Sequence, residues 1–357
     1  MSNNLTIFAG KKAQTAIQEK GLQPDMVKII PGAAGGPKWL VLNQLDRTLF
    51  SSFFSGRKKP LYLIGSSIGA WRFAAVSQQD PLDGINRFEF GYTENQRYST
   101  QPTHEEIKKE TTTVLNSFVD DSAIKDILNH PYLRLNITAV KCKGLVSSES
   151  LPILGAGLFS AALLNAISRK TLKYFFERTL FYHPADPPPF LHSNEFPIQK
   201  VELNTQNLKA ALMASGSIPI VMPGVKNIPG TQKGMYRDGG IIDYHMDLDY
   251  NVAEDELVLF PHYTDCIIPG WLDKKLSWRK PNPNHIENVV LVAPSKAFIK
   301  QLPFSKIPDR NDFKTFVGKD EDRIRYWKTV IDASRKLADE FMEIVDSGKI
   351  KSILKPM

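Results

Sequence analysis

The chain has 357 residues, of which 42% are hydrophobic and 10% aromatic, so it is long enough to bury a full core. Its formal net charge is +7, yet the basic residues are dispersed and no recognition motif occurs, which argues against nucleic acid as a partner. Its two cysteines, Cys142 and Cys266, form no CxxC, which predicts buried thiols in a reducing compartment.

The first motif is a glycine-rich loop at residues 31–39, PGAAGGPKW, after a predicted buried strand at 26–30. Small residues let consecutive backbone N–H groups point into one concavity, as an oxyanion hole requires. Gly35 and Gly36 are the best-placed donors, and Pro37 suits the first turn of a helix predicted over 39–54. A plain turn is the alternative. A phosphate-binding loop is disfavoured because Lys38 lacks the required neighbours.

The second motif is a GxSxG at residues 65–69, between an apolar run at 61–64 and a helical pattern. Strand, tight turn and helix in this order place a serine hydroxyl at the tip of a sharp elbow. Gly65 and Gly69 supply the room that such a turn needs on either side. Ser67 is therefore the candidate nucleophile.

Two apolar segments bear on contact with membranes. Residues 151–167 form the longest apolar stretch, which is too short and too interrupted to span a bilayer and predicts either a core helix or a flap that dips into lipid. In residues 169–181 cations alternate with aromatic side chains, as in an interfacial helix, which leaves open a peripheral contact with an anionic membrane surface. The amino terminus shows neither a basic start nor a long apolar core, so we expect no signal peptide and a cytoplasmic location.

The third motif, residues 235–240, is a short predicted strand that ends in Asp238, Gly239 and Gly240. Serine needs a neighbouring base to remove its proton, and an aspartate in a partly desolvated pocket is basic enough to do so. The two glycines would let the backbone turn and bring the carboxylate close to the hydroxyl. The alternative is an ordinary turn.

Extended runs at residues 133–141, 198–203, 257–260 and 289–292 alternate with helical patterns, which predicts an α/β fold with a mostly parallel sheet covered on both faces. Residues 104–129 predict a helical insertion. Residues 321–345 predict one amphipathic closing helix.

These motifs, in this order, resemble the patatin-like phospholipases, and the stretch ASGSIPIVMPG at residues 214–224 is similar to a segment that this family carries before its aspartate. The resemblance covers about residues 25–245. It implies a single patatin-like domain over 1–357 with a three-layer α/β/α fold and a carboxy-terminal extension, and a serine that works with an aspartate and no histidine.

By this resemblance, Ser67 is acylated, Asp238 is its base, and Gly35 and Gly36 form the oxyanion hole, with Lys38 in the place of the family's basic residue. The chain departs from the family pattern at three places: Ala33 and Ala34, Trp39, and Tyr244 with His245.

A conventional Ser-Asp-His triad is the rival arrangement, with Asp238 or Asp243 as its acid and His245, His262 or His285 as its histidine; His262 and His285 are the preferred candidates. Asp243, His245, Asp247 and Asp249 alternate as they would on one face of a strand, but such carboxylates more often face solvent, and we predict no metal.

The sequence thus predicts a serine acyl hydrolase that cleaves ester bonds of phospholipids or related lipids without a cofactor. Two alternatives remain open at this point: an inactive lipid-binding or scaffold relative, and an acyltransferase that shares the first half-reaction.

Overall fold

The computed structural model describes residues 4–192 and 196–357. Its strands are β1 Leu5–Ala9, β2 Val27–Gly32, β3 Leu61–Ser66, β4 Leu133–Cys142, β5 Phe176–Tyr182, β6 Ile198–Glu202, β7 Val225–Lys226, β8 Met235–Asp238, β9 Leu257–Pro261, β10 Val289–Pro294 and β11 Lys355–Pro356. Its helices are α1 Lys11–Lys20, α2 Asn43–Thr48, α3 Ile68–Val76, α4 Pro81–Thr93, α5 His104–Phe118, α6 Asp121–Leu128, α7 Leu151–Ile167, α8 Leu208–Gly216, α9 Lys296–Gln301, α10 Asp312–Thr315, α11 Asp320–Ala333, α12 Arg335–Asp346 and α13 Ile350–Ile353.

One central sheet follows the order β11-β1-β10-β9-β2-β3-β4-β5-β6. Strand β8 joins it by pairing with β4, and β7 pairs with β8. The pairs from β10 through β9, β2 and β3 to β4 are parallel, whereas β1 with β10 and β4 with β5 are antiparallel. Helices flank this sheet, so the predicted α/β fold with a mostly parallel sheet is confirmed and agrees with a three-layer α/β/α arrangement. Strands β3, β9 and β10 are buried along their whole length because both faces of the sheet are covered.

Helix α3 packs directly against β2, β3 and β4. A Cβ on Gly69 would lie 2.1 Å from the carbonyl oxygen of Gly32, and one on Gly65 would lie 2.4 Å from the backbone nitrogen of Ala70. Glycine is therefore required at both outer positions of the GxSxG, because any side chain would push the helix off the sheet.

Several sequence predictions were wrong in detail. The segment predicted as an interfacial helix, 169–181, forms a 3-10 helix, Arg169–Tyr174, and then the sheet strand β5. Its Arg178 is buried in a bidentate ion pair with Asp243, at 2.7 and 2.8 Å. The predicted closing helix is two helices, α11 and α12, that meet at Ser334.

The helix predicted over 39–54 is present to Phe53, but its hydrogen bonding changes from 3-10 through α to π along the segment. The insertion predicted at 104–129 is helical, as α5 and α6. Both cysteines are free thiols, and Cys266 is exposed where a buried thiol was expected.

Candidate active site

Ser67 lies in the sharp turn between β3 and α3. Its backbone adopts φ 55° and ψ −127°, a conformation that non-glycine residues seldom take and that a rigid surrounding must maintain. Part of that support comes from Ser215, whose Oγ accepts the backbone N–H of Ser67 at 2.8 Å and donates to the carbonyl oxygen of Thr138 at 2.7 Å. The strained turn is thus tied to both α8 and β4.

The Ser67 hydroxyl donates a hydrogen bond of 2.7 Å to Oδ2 of Asp238. The other carboxylate oxygen, Oδ1, accepts the backbone N–H of Gly240 at 2.7 Å. Asp238 is only 6% exposed, and this burial raises the pKa of its carboxyl, while the nearby Arg310 and the two hydrogen bonds act in the lowering direction. A carboxylate with a raised pKa is a stronger base toward the serine proton.

The glycine-rich loop places Gly35 and Gly36 beside this pair. Gly36 has φ +57°, which favours glycine, and a Cβ there would lie 3.0 Å from Nε of Arg310. The N–H of Ala34 donates to the carbonyl oxygen of Tyr244 at 2.9 Å. Neither Gly35 nor Gly36 donates its N–H to a backbone or side-chain acceptor among the residues that the structure describes, so both amides are available to a ligand.

A buried chain of polar groups holds this loop from behind. The Tyr263 hydroxyl donates to the carbonyl oxygen of Ala34. Since the hydroxyl donates its proton to Ala34, its oxygen accepts a hydrogen bond from Nε2 of His245 at 2.8 Å. Nδ1 of His245 in turn accepts the N–H of Ile268 at 3.0 Å. Burial lowers the pKa of His245, which keeps this imidazole neutral.

Two cavities meet at the Ser67–Asp238 pair. The apolar cavity, of about 460 Å³, reaches Ser67 and Gly36, and the polar cavity, of about 280 Å³, reaches Asp238 and Gly35. Residues that line the apolar cavity include Ile68, Trp71, Tyr92, Ile107, Val114, Val221, Met222, Phe313 and Phe316. Arg310 lines both cavities, so its guanidinium lies at their junction.

Three basic residues line the polar cavity: Lys38, Lys274 and Arg310. None of them makes an ion pair with a residue in the described ranges, 4–192 and 196–357. Lys38 instead lies 4.7 Å above the Tyr263 ring, and Lys274 lies 5.1 Å above the Tyr244 ring. The carboxylate of Asp309, in the same cavity, is paired with Lys306 at 3.5 Å. The polar cavity therefore offers unpaired positive charge to an anionic group.

The histidines considered for a triad lie elsewhere. His262 is buried, its Nδ1 accepts the N–H of Thr264 at 3.0 Å, and burial lowers its pKa to about 3. His285 pairs with Asp247 at 2.9 Å. Among the described atoms, neither imidazole makes a hydrogen bond to Ser67 or Asp238.

The acidic residues considered for a metal do not converge. Residues 243–249 are not a strand, so they do not share one face as alternation suggested. Asp243 is bound to Arg178, His245 to Tyr263 and Asp247 to His285. Within the part of the chain that the structure describes, no group of metal-binding side chains forms a site.

The site residues predicted from the sequence lie around the two cavities: Ser67, Asp238, Gly35, Gly36 and Lys38. The predicted supporting glycines are close-packed backbone positions: Gly65, Gly69, Gly239 and Gly240. Three further site residues are not predicted from the sequence: Ser215, Tyr263 and Arg310. Ser215 lies in the segment 214–224, which carries only the family resemblance, whereas Tyr263 and Arg310 carry no local signal.

No family model and no curated protein matches the sequence. Among solved structures, the chain is similar to the crystal structure of VipD from Legionella pneumophila, with 13% identity and a TM-score of 0.37 over 88% of this chain and 67% of that one. This likeness is too weak to indicate an activity.

Proposed function

We propose that this protein is a serine acyl hydrolase that acts on lipid esters, with Ser67 as nucleophile and Asp238 as its base. The observation that carries the proposal is the hydrogen bond of 2.7 Å from the Ser67 hydroxyl to the buried Asp238 carboxylate, made in a strained turn that faces an apolar cavity. A hydroxyl that already points its proton at a base is prepared for attack.

In the first half-reaction, Asp238 takes the Ser67 proton while Oγ forms a bond to the ester carbonyl carbon. The resulting oxyanion accepts hydrogen bonds from the N–H groups of Gly35 and Gly36. The carbon–oxygen bond to the alcohol then breaks, and the leaving alkoxide takes the proton back from Asp238. Ser67 is left acylated.

In the second half-reaction, a water molecule gives its proton to Asp238 and attacks the acyl carbonyl. The tetrahedral intermediate collapses to the carboxylic acid, and the Ser67 oxygen recovers the proton from Asp238. No histidine takes part, which agrees with the hydrogen bonds that His262 and His285 make elsewhere.

The two cavities support a lipid substrate. The apolar cavity, beside Ser67, suits the acyl chain, and the polar cavity, with Lys38, Lys274 and Arg310, suits an anionic group on the alcohol side, such as the phosphate of a phospholipid.

The test is hydrolysis of p-nitrophenyl esters of increasing chain length and of a phospholipid. We expect kcat/KM to rise about threefold to fourfold for each added methylene until the apolar cavity is filled, since each buried methylene contributes ~0.8 kcal/mol. Ser67→Ala should abolish hydrolysis. Ser66→Ala is the matched control, because the neighbouring hydroxyl is buried without a hydrogen-bond partner in the described structure. If wild type hydrolyses none of these esters, the chain is not an acyl hydrolase.

A further inference from the structure

Helix α7 carries an apolar surface that the proposed chemistry does not use. Its 17 residues, LPILGAGLFSAALLNAI, include no charged side chain. A helix that is apolar on every side is ordinarily buried in a core or in lipid. Here only one narrow stripe is buried, formed by Leu154, Gly157, Leu158, Ala161 and Asn165.

The opposite side of α7 is exposed and hydrophobic. Phe159 is 66% exposed, Leu163 54% and Ile167 81%, and Ile153 and Leu164 are exposed as well. Apolar patches of this kind on a soluble surface mark sites of interaction with a protein or a membrane.

Basic and aromatic side chains surround the carboxy-terminal end of α7. Lys170 and Lys173 follow the helix and are exposed, and Tyr174 is 67% exposed. Neither lysine makes an ion pair with a described residue. The segment 274–280, KKLSWRK, joins them, because Arg279 donates to the carbonyl oxygen of Asn165 at 2.6 Å and Trp278 is 64% exposed.

The acidic residues near α7 are already neutralised. Asp273 is buried and lies 3.3 Å from Arg279, and Asn165 donates to it at 2.7 Å. Glu149, before the helix, is paired with Arg237 at 2.6 Å. Apolar side chains bordered by unpaired lysines and exposed tyrosine and tryptophan are the chemistry of a helix that lies in the interface of an anionic bilayer.

Both ends of α7 are attached to walls of the candidate site. At the amino-terminal end, Arg237 bonds Glu149 and also donates to the carbonyl oxygen of Met222, which lines the apolar cavity. At the carboxy-terminal end, Asn165 bonds Asp273, in the same turn as Trp271 of the polar cavity. The helix is therefore linked to the walls of both cavities.

We infer that α7, with Trp278 and the lysines at its carboxy-terminal end, docks the protein on an anionic lipid bilayer, with the helix lying in the interface plane. Within the described residues, no helix is both long enough and apolar enough to cross a membrane. The inference rests on the proposed function only for what docking would achieve, which is to hold the two cavities at the lipid surface. Binding itself does not require catalysis.

The test is flotation of the full chain with vesicles, in a Ser67→Ala background so that hydrolysis cannot alter them. Vesicles of equal parts phosphatidylcholine and phosphatidylglycerol should carry the protein upward. Phe159→Ser combined with Ile167→Ser should lower the partition coefficient by about a hundredfold, because each large apolar side chain contributes about tenfold or more. Phe90→Ser, at a 53% exposed phenylalanine on α4, is the matched control and should bind as before.

A second pair of substitutions separates the electrostatic contribution to binding from the apolar contribution. Lys170→Glu combined with Lys173→Glu should weaken binding to the anionic vesicles by about tenfold or more and leave binding to pure phosphatidylcholine unchanged. Thermal melting checks that every variant folds. The inference is overturned if the parent does not float, if the α7 variant floats like Phe90→Ser, or if sedimentation shows a dimer that the α7 variant dissociates. Loss of esterase activity with intact flotation would defeat the proposed function and not this inference.

Discussion

Ser66 is the last residue of β3 and Asp238 is the last residue of β8, and these two strands pair with successive parts of the same edge of β4. Ser66 is paired with Thr138 in the parallel ladder, and Asp238 is paired with the next residue, Ala139, in the antiparallel ladder. The backbone of the sheet, and not the reach of a long side chain, therefore brings the aspartate to the serine turn. A substitution at Asp238 that keeps its shape should leave this meeting point intact.

Asp238→Asn should abolish hydrolysis and yet stabilise the fold. Burial raises the pKa of Asp238 in the folded state above its unfolded value. The free energy of unfolding therefore decreases as pH rises from the unfolded pKa through the folded pKa. At neutral pH the folded chain carries the full cost of the buried charge. An asparagine removes that charge and keeps an oxygen for the Gly240 N–H. We expect Tm to rise by about 2–4 °C near pH 7, and the gain to disappear at low pH where the wild-type carboxyl is protonated. A lower Tm than wild type at pH 7 would contradict this.

The pH dependence of catalysis should report the same group. Asp238 must be ionised to accept the serine proton, so kcat/KM should fall as pH decreases through its pKa, which burial places above the ordinary aspartate range. Arg310 acts to lower this pKa. Arg310→Met should therefore move the acid limb of the profile to higher pH, whatever it does to substrate binding. The measurement is kcat/KM against pH with a soluble ester, and an acid limb that does not move would remove Arg310 from this role.

Tyr263 positions the amide loop without touching a substrate carbonyl. Tyr263→Phe leaves the carbonyl oxygen of Ala34 without its donor and lets Gly35 and Gly36 shift, so we expect kcat to fall about tenfold with little change in KM. Tyr250→Phe is the matched control, because its buried hydroxyl also bonds one carbonyl, that of Met246. Steady-state kinetics separates the two variants. Equal losses in both would mean that the effect is one of general stability.

The close approach of α3 to the sheet sets a strict size limit at Gly69. Gly69→Ala places a methyl group 2.1 Å from the Gly32 carbonyl oxygen, so we expect a loss of about 3 kcal/mol or more in the free energy of unfolding. In Gly155→Ala, the added methyl on α7 meets open space and should stabilise by about 0.5–1 kcal/mol. Urea unfolding of both variants measures the difference. A tolerated Gly69→Ala would show that the strand and helix are not held this tightly.

The sequence was informative where the chemistry is local. The serine turn, the glycine loop and the aspartate each carry a short motif, and β3, β9 and β10 contain continuous apolar runs, so the sequence predicts all of them. The prediction of an interfacial helix is wrong for residues 176–181, because alternating cations and aromatic residues fit such a helix but also fit a strand. The buried ion pair between Arg178 and the distant Asp243 distinguishes the strand from a surface helix. A single sequence does not reveal such a long-range ion pair.

Two site residues are not predicted from the sequence for the same reason, which is that their contacts are long-range. Tyr263 and Arg310 reach the site from segments after the last motif, where an ordinary strand end and a polar loop give no local signal. The closing helix was expected to be continuous because its apolar positions are, yet it is broken at Ser334, where the buried hydroxyl bonds the carbonyl oxygen of Ile331. Side-chain competition for the backbone of this kind depends on the tertiary surroundings.

The most direct test is the rate at which a fluorophosphonate labels Ser67, followed by intact mass and peptide mapping. The account predicts one adduct, on Ser67, formed at least about a hundredfold more slowly in Asp238→Asn, and at close to the wild-type rate in His262→Asn and His285→Ala. Labelling at another residue, or a loss in either histidine variant as large as that in Asp238→Asn, would contradict the claim that an aspartate alone activates this serine.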